Sequence, residues 1–121
     1  MKFNKKQIEI LNTFKKTYLK TNQIVCWNYV KFSKTSKEHQ DRVNEICWWL
    51  YSNGIPFATE VEFRSGGNPD IICPTIHKIY EVRHSENDNA STKKLKKFPD
   101  ELHSWIIYND TNKEFNYKDL L

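Results

Sequence analysis

The stretch that most limits what this chain can fold into is residues 64–85, R-S-G-G-N-P-D-I-I-C-P-T-I-H-K-I-Y-E-V-R-H-S. Two short apolar runs, Ile71-Ile72-Cys73 and Ile79-Tyr80, flank a turn at Pro74-Thr75. Ile and Tyr favour strand, so the pattern predicts a β-hairpin. Each strand carries one acid against its apolar grain: Asp70 opens the first, and Glu81 stands near the end of the second. Antiparallel pairing can bring both carboxylates to one end of the hairpin. Paired carboxylates raise each other's pKa unless a cation sits between them. An oxygen-rich pair at a strand end suits a hard ion such as Mg²⁺.

The rest of the chain has to bury that hairpin. With 121 residues it has room for one domain, or for one small domain with an extension, and 38% hydrophobic residues supply a small core. The net charge of +4 suits a polyanionic partner without requiring one. No apolar run reaches the length of a membrane span and no secretory pattern opens the chain, so the expected compartment is intracellular. Cys26, Cys47 and Cys73 are widely spaced with no C-x-x-C pair, and read as reduced core thiols rather than zinc ligands or disulfides.

Residues 4–20 read as a helix. Ile8, Leu11, Phe14 and Tyr18 recur at helical spacing, and Asn4 is a natural N-cap. Lys5, Lys6, Lys15, Lys16 and Lys20 decorate its other faces, the pattern of a solvated surface, with phosphate contact as the alternative. Residues 21–34 are too apolar for a free linker and are read as a second short helix, with a strand as the alternative. Residues 1–34 then form an N-terminal helical extension packed on a core of 35–121, helping to bind DNA or forming a homodimer interface.

Residues 36–52 give the clearest helix. Ser36 caps it, Val43, Ile46, Cys47 and Leu50 form one stripe, and Asn53-Gly54 supplies the stop. Trp48 and Trp49 fall mostly outside the stripe, and packing under the N-terminal extension is favoured over base stacking. His39 lies one turn before Val43 and shares its phase, unlike Glu45. Residues 57–63 alternate as a strand, with Phe57, Thr59, Val61 and Phe63 on one side and Glu60 and Glu62 on the other. Glu60 and Glu62 are therefore both candidates for a third acid. Arg64 and the backbone N–H groups of the following glycine turn can meet a phosphate. Beyond Glu81, residues 85–91 form a polar loop and Ser91 can cap a short helix at 92–98. Lys93, Lys94, Lys96 and Lys97 make that helix the densest basic cluster. Residues 104–109 read as a buried strand, and Phe115, Tyr117 and Leu120 allow a last edge strand or tail.

Pro69-Asp70 followed by Glu81-Val82-Arg83 resembles the signature of the PD-(D/E)XK nuclease superfamily over residues 37–109, with Arg83 where that family usually has lysine. The resemblance implies an α/β, restriction-endonuclease-like core: helix, three strands, helix, strand, with a mixed central sheet. It implies that Asp70, Glu81 and the backbone carbonyl of Val82 hold Mg²⁺ or Mn²⁺, with Glu60 or His39 completing the shell. It further implies that Arg83 stands in the catalytic lysine's place, and that Lys93, Lys94 and Lys97 lie where DNA passes. Arg83 can clamp a phosphate but cannot act as a base. The expected activity is metal-dependent endonucleolytic cleavage of DNA, including branched or structured DNA. The alternative is a non-catalytic nucleic-acid-binding protein on a degenerate nuclease scaffold.

Overall fold

The computed structural model describes residues 2–31, 34–83 and 94–108. Among the described residues the chain is α/β, with two helices and a four-stranded mixed sheet. Helix α1 spans Lys5–Tyr18 and α2 spans Lys37–Ser52. The strands are β1 (Ala58–Thr59), β2 (Ile71–Cys73), β3 (Lys78–Arg83) and β4 (His103–Tyr108), and they lie side by side in chain order. β1–β2 and β2–β3 are antiparallel, whereas β3–β4 is parallel. A parallel neighbour needs a long crossover connection, and here the chain between β3 and β4 supplies it.

Both helices start where the sequence predicts. Asn4 accepts the Gln7 N–H, and the Gln7 side chain reaches back to the Asn4 N–H, closing a capping box. Ser36 accepts the His39 N–H at 3.2 Å. The stripe Val43, Ile46, Cys47 and Leu50 is buried against Ile71, Cys73, Tyr80, Val82 and Ile107 on one face of the sheet. Each of those large apolar side chains contributes roughly 1.5–3 kcal/mol when fully buried. On the other face, Phe14 and Leu19 join Ala58, Val61, Phe63, Ile72, Ile79, Phe98 and Leu102. The apolar edge of α1 is thus part of the core.

Three expectations are corrected. Residues 21–31 form neither helix nor strand. They run along the outer edge of β1 and satisfy it piecemeal. Asn28 N–H donates to the Phe57 carbonyl at 2.7 Å, and Lys31 N–H donates to Thr59 Oγ1 at 2.9 Å. A helix would leave that edge unpaired. The strand expected over 57–63 is only two residues long, because Glu60 takes a left-handed φ of 53°. That residue resets the alternation: Phe57 faces the α2 side, while Val61 and Phe63 both face the α1 side. The last strand begins at His103, and only Ile107 is fully buried, so β4 is a partly exposed strand. The expected loop 85–91, the start of the helix at 92–98 and the tail after 109 lie outside the described residues.

Candidate active site at the open end of the hairpin

The hairpin turn is a short 3-10 segment, Pro74–Ile76, closed by His77 at a left-handed φ of 53°. It sets the register Ile71↔Tyr80, Ile72↔Ile79 and Cys73↔Lys78. Continued by one residue, the register puts Asp70 opposite Glu81. Side chains alternate across a strand, so both acids share the face of Ile72 and Ile79. Each carboxylate accepts a backbone N–H from the facing strand's end. The Asp70 N–H donates to Glu81 Oε1 at 2.7 Å, and the Val82 N–H donates to Asp70 Oδ2 at 2.8 Å. Asp70, Glu81 and Arg83 are all buried.

Three basic side chains gather at the pair, from α2, from the segment before β4 and from β3 itself. His39, in the first turn of α2, brings Nε2 to 3.3 Å from Asp70 Oδ1, as an ion contact rather than an aligned hydrogen bond. Lys94 sets Nζ 3.1 Å from Glu81 Oε2, and Arg83 holds a guanidinium nitrogen 3.6 Å from that same oxygen. Burial and the charge of Asp70 push the Glu81 pKa up to about 6, although Lys94 and the Asp70 N–H pull it down. The Asp70 carboxylate raises His39 more than burial lowers it. Glu60 is exposed as a residue, yet partial burial of its carboxyl, then the charge of Asp70, push its pKa up; Lys94, His39 and Lys31 oppose the shift. Glu60 therefore shares the field of the site.

The remaining candidates fall elsewhere. Arg64 donates Nε–H to the Leu19 carbonyl at 2.9 Å, a favourable cation at the C-terminal end of α1. Lys97 lies on the exposed turn after Lys94. Lys93 and His84 lie outside the described residues. Trp49 packs beside the α2-face core, whereas Trp48, expected under the N-terminal extension, is 70% exposed and stacks on Tyr51 with ring centroids 6.0 Å apart. Cys47 and Cys73 are buried free thiols, whereas Cys26 is exposed. Lys31, which sequence reasoning did not single out, is felt only through its charge at Glu60; its Nζ donates to the Ile24 carbonyl at 3.2 Å.

Among the described residues, no three His, Cys, Asp or Glu side chains are drawn together as a ready metal cage. Asp70 and His39 touch, and Glu81 stands across the hairpin with Lys94 on its outer oxygen. Among the described residues, no helix is long and apolar enough to cross a membrane. No family model matches the chain, and neither the curated proteins nor the solved structures contain a match to it.

Proposed function

We propose that this chain is a divalent-metal-dependent endonuclease that hydrolyses phosphodiester bonds in DNA, on a restriction-endonuclease-like core. The observation that carries this reading is the buried Asp70–Glu81 pair, aligned across a strand end with His39, Lys94 and Arg83 around it. The donors are hard oxygens with one imidazole, which suits Mg²⁺ or Mn²⁺. Burial, then the charge of Asp70, raises the Glu81 pKa, and a divalent ion at the pair would offset that penalty on the charged form. Asp70, Glu81 and the Val82 carbonyl would hold the ion, with His39 or Glu60 beside them.

Bound there, a divalent ion supplies charge neutralisation at the scissile phosphate and acidifies the attacking water. The chain's own groups do the rest. His39 holds the Asp70 carboxylate in place from α2. Arg83 keeps a fixed positive charge beside Glu81 and can face the non-bridging oxygens of a phosphate, but cannot take a proton. Lys94, whose Nζ stands on the outer oxygen of Glu81, would present its ammonium to the same phosphate if Glu81 held an ion.

The test is purified protein with labelled single-stranded, duplex, flap and four-way-junction DNA, each with Mg²⁺, Mn²⁺ or EDTA. Cleavage is expected only with metal, and Asp70→Asn and Glu81→Gln should each lower the rate at least ~100-fold. A second reading, a DNA-binding scaffold without catalysis, is favoured by one feature: arginine, not lysine, follows Val82. Binding without cleavage on every substrate, unchanged by EDTA and by Asp70→Asn, would establish that reading instead.

A further inference from the structure

A cleft of about 670 Å³ lies next to the carboxylate pair, lined by Lys20, Glu62, Lys94, Lys97 and the loop 66–68. Lys94 belongs to both places, since its Nζ also touches Glu81. Three lysines against one glutamate leave this lining positive. The cleft has a firm wall. Ser65 Oγ donates to the Lys97 carbonyl, tying loop to turn. Gly67 has no room for a side chain, because a Cβ there would stand 2.8 Å from Phe98 Cε1. Gly66 takes a φ of 89° that other residues rarely adopt. The glycine pair thus leaves bare backbone along the cleft, the surface against which a phosphate chain can come close.

Lys20 reaches the cleft from the end of α1. Its N–H donates to the Glu62 carbonyl at 3.0 Å, and its Nζ sits 2.8 Å from Glu62 Oε2. Both side chains of that pair are about half exposed, so the bond is weak and exchangeable. The chemistry proposed for the carboxylate pair uses neither Lys20, Lys97 nor Glu62.

We infer that this cleft binds the phosphodiester backbone of the nucleic-acid strand next to the phosphate held at Asp70 and Glu81. Lys20 and Lys97 contact phosphates, and Glu62 is the counter-charge a phosphate displaces. The inference rests on the nuclease reading for its orientation, but it makes a claim about binding alone. It also gives the N-terminal helix a part in holding substrate.

The experiment is fluorescence anisotropy on the full chain in EDTA, across a salt series, with short labelled single-stranded DNA, duplex DNA and RNA of the same sequence. Inorganic phosphate is added as competitor in a separate arm. Lys20→Ala and Lys97→Ala are each expected to weaken binding several-fold and to flatten the log K against log salt slope by roughly 0.7–0.9. Glu62→Gln should tighten binding. Lys5→Ala with Lys6→Ala, at the far end of α1, should leave the slope unchanged, and thermal melts verify that every variant is folded. Equal slopes for wild type and both cleft variants would overturn the inference. So would an equal loss in the Lys5/Lys6 variant, full competition by millimolar phosphate, or no binding by wild type. Cleft-dependent binding without Mg²⁺-dependent cleavage would uphold the cleft and remove the nuclease reading. The DNA and RNA arms identify which backbone it takes.

Discussion

Two cross-strand pairs on one face of one hairpin behave in opposite ways. Ile72 and Ile79 pair near the turn and are fully buried in the α1-side core. Asp70 and Glu81 pair at the other end, two residues away, roughly 7 Å along the strands. The same backbone, face and register hold both. The isoleucine pair stabilises the fold by leaving water, while the acid pair is buried at a cost and leans on backbone N–H groups, His39 and Lys94 to offset it. The turn end of the hairpin therefore anchors the fold, and the open end carries the strain that a ligand can relieve.

The largest effect that can break this contrast is at the anchor. Ile79→Ala should lose about 2–5 kcal/mol, through lost burial and the cavity left behind. Urea melts measure it, and a loss below ~1 kcal/mol would show that the turn end anchors nothing. At the other end the sign should reverse. Glu81→Gln keeps an acceptor for the Asp70 N–H and removes a repelled charge. In EDTA at neutral pH it should stabilise the protein, by up to about 2 kcal/mol. A destabilised Glu81→Gln protein would mean that Lys94 and Arg83 already satisfy the carboxylate.

The same imbalance sets a pH dependence. Glu81 normally ionises near 4.5 but does so at about 6 in the folded chain. Between those values the folded state keeps a proton that the unfolded state has lost, so stability falls as pH rises through that window. His39 acts in the same direction. Its folded pKa lies above 6.5, so the stability it adds is complete below that value and disappears as pH rises through the folded one. In EDTA, stability should decline from weakly acid to neutral pH. Mn²⁺ should reverse the trend, because it competes with protons for the same carboxylates. Urea midpoints with and without Mn²⁺ check this. A midpoint in EDTA that rises with pH would place the controlling groups elsewhere.

Local patterns carried some of this and not the rest. Helix α2 was legible because its cap, stripe and stop are all local. So was the hairpin, and with it the meeting of Asp70 and Glu81, since register follows from a short turn. Helical phase put His39 on the core-facing side of α2, and the family resemblance pointed it at the acids. Lys94 could be suspected but not positioned, because its reach to Glu81 depends on where the crossover from β3 to β4 brings the chain. Residues 21–31 carry apolar residues that resemble a helix, but the open edge of β1 needs partners, and Asn28 meets Phe57 with both its backbone and its side chain. Adjacent Trp48 and Trp49 project about 100° apart on a helix, so one packs on the core and its neighbour faces solvent.

The smallest expected effect lies beside the open end, at Glu60, which follows the Thr59 that pairs with Ile71. The even spacing of residues 57–63 predicted a continuous strand, yet Glu60 adopts φ 53° and ends it. A side-chain-bearing residue in that region costs roughly 1–2 kcal/mol, and strain of this kind collects at functional sites. Here the turn holds the Glu60 carboxyl in the field of Asp70, His39 and Lys94. Glu60→Gly should relieve the backbone at the expense of unfolded-state entropy, for a net gain of at most ~1 kcal/mol. Glu60→Gln keeps the strain and removes only the charge. If Glu60 serves the metal, both variants weaken Mn²⁺ binding alike, while in EDTA the glycine variant is the more stable of the two, because it alone relieves the backbone. If instead Glu60 is only a bend in the chain, Mn²⁺ binding is unchanged in both, and the strained end of the hairpin reduces to Asp70 and Glu81 alone.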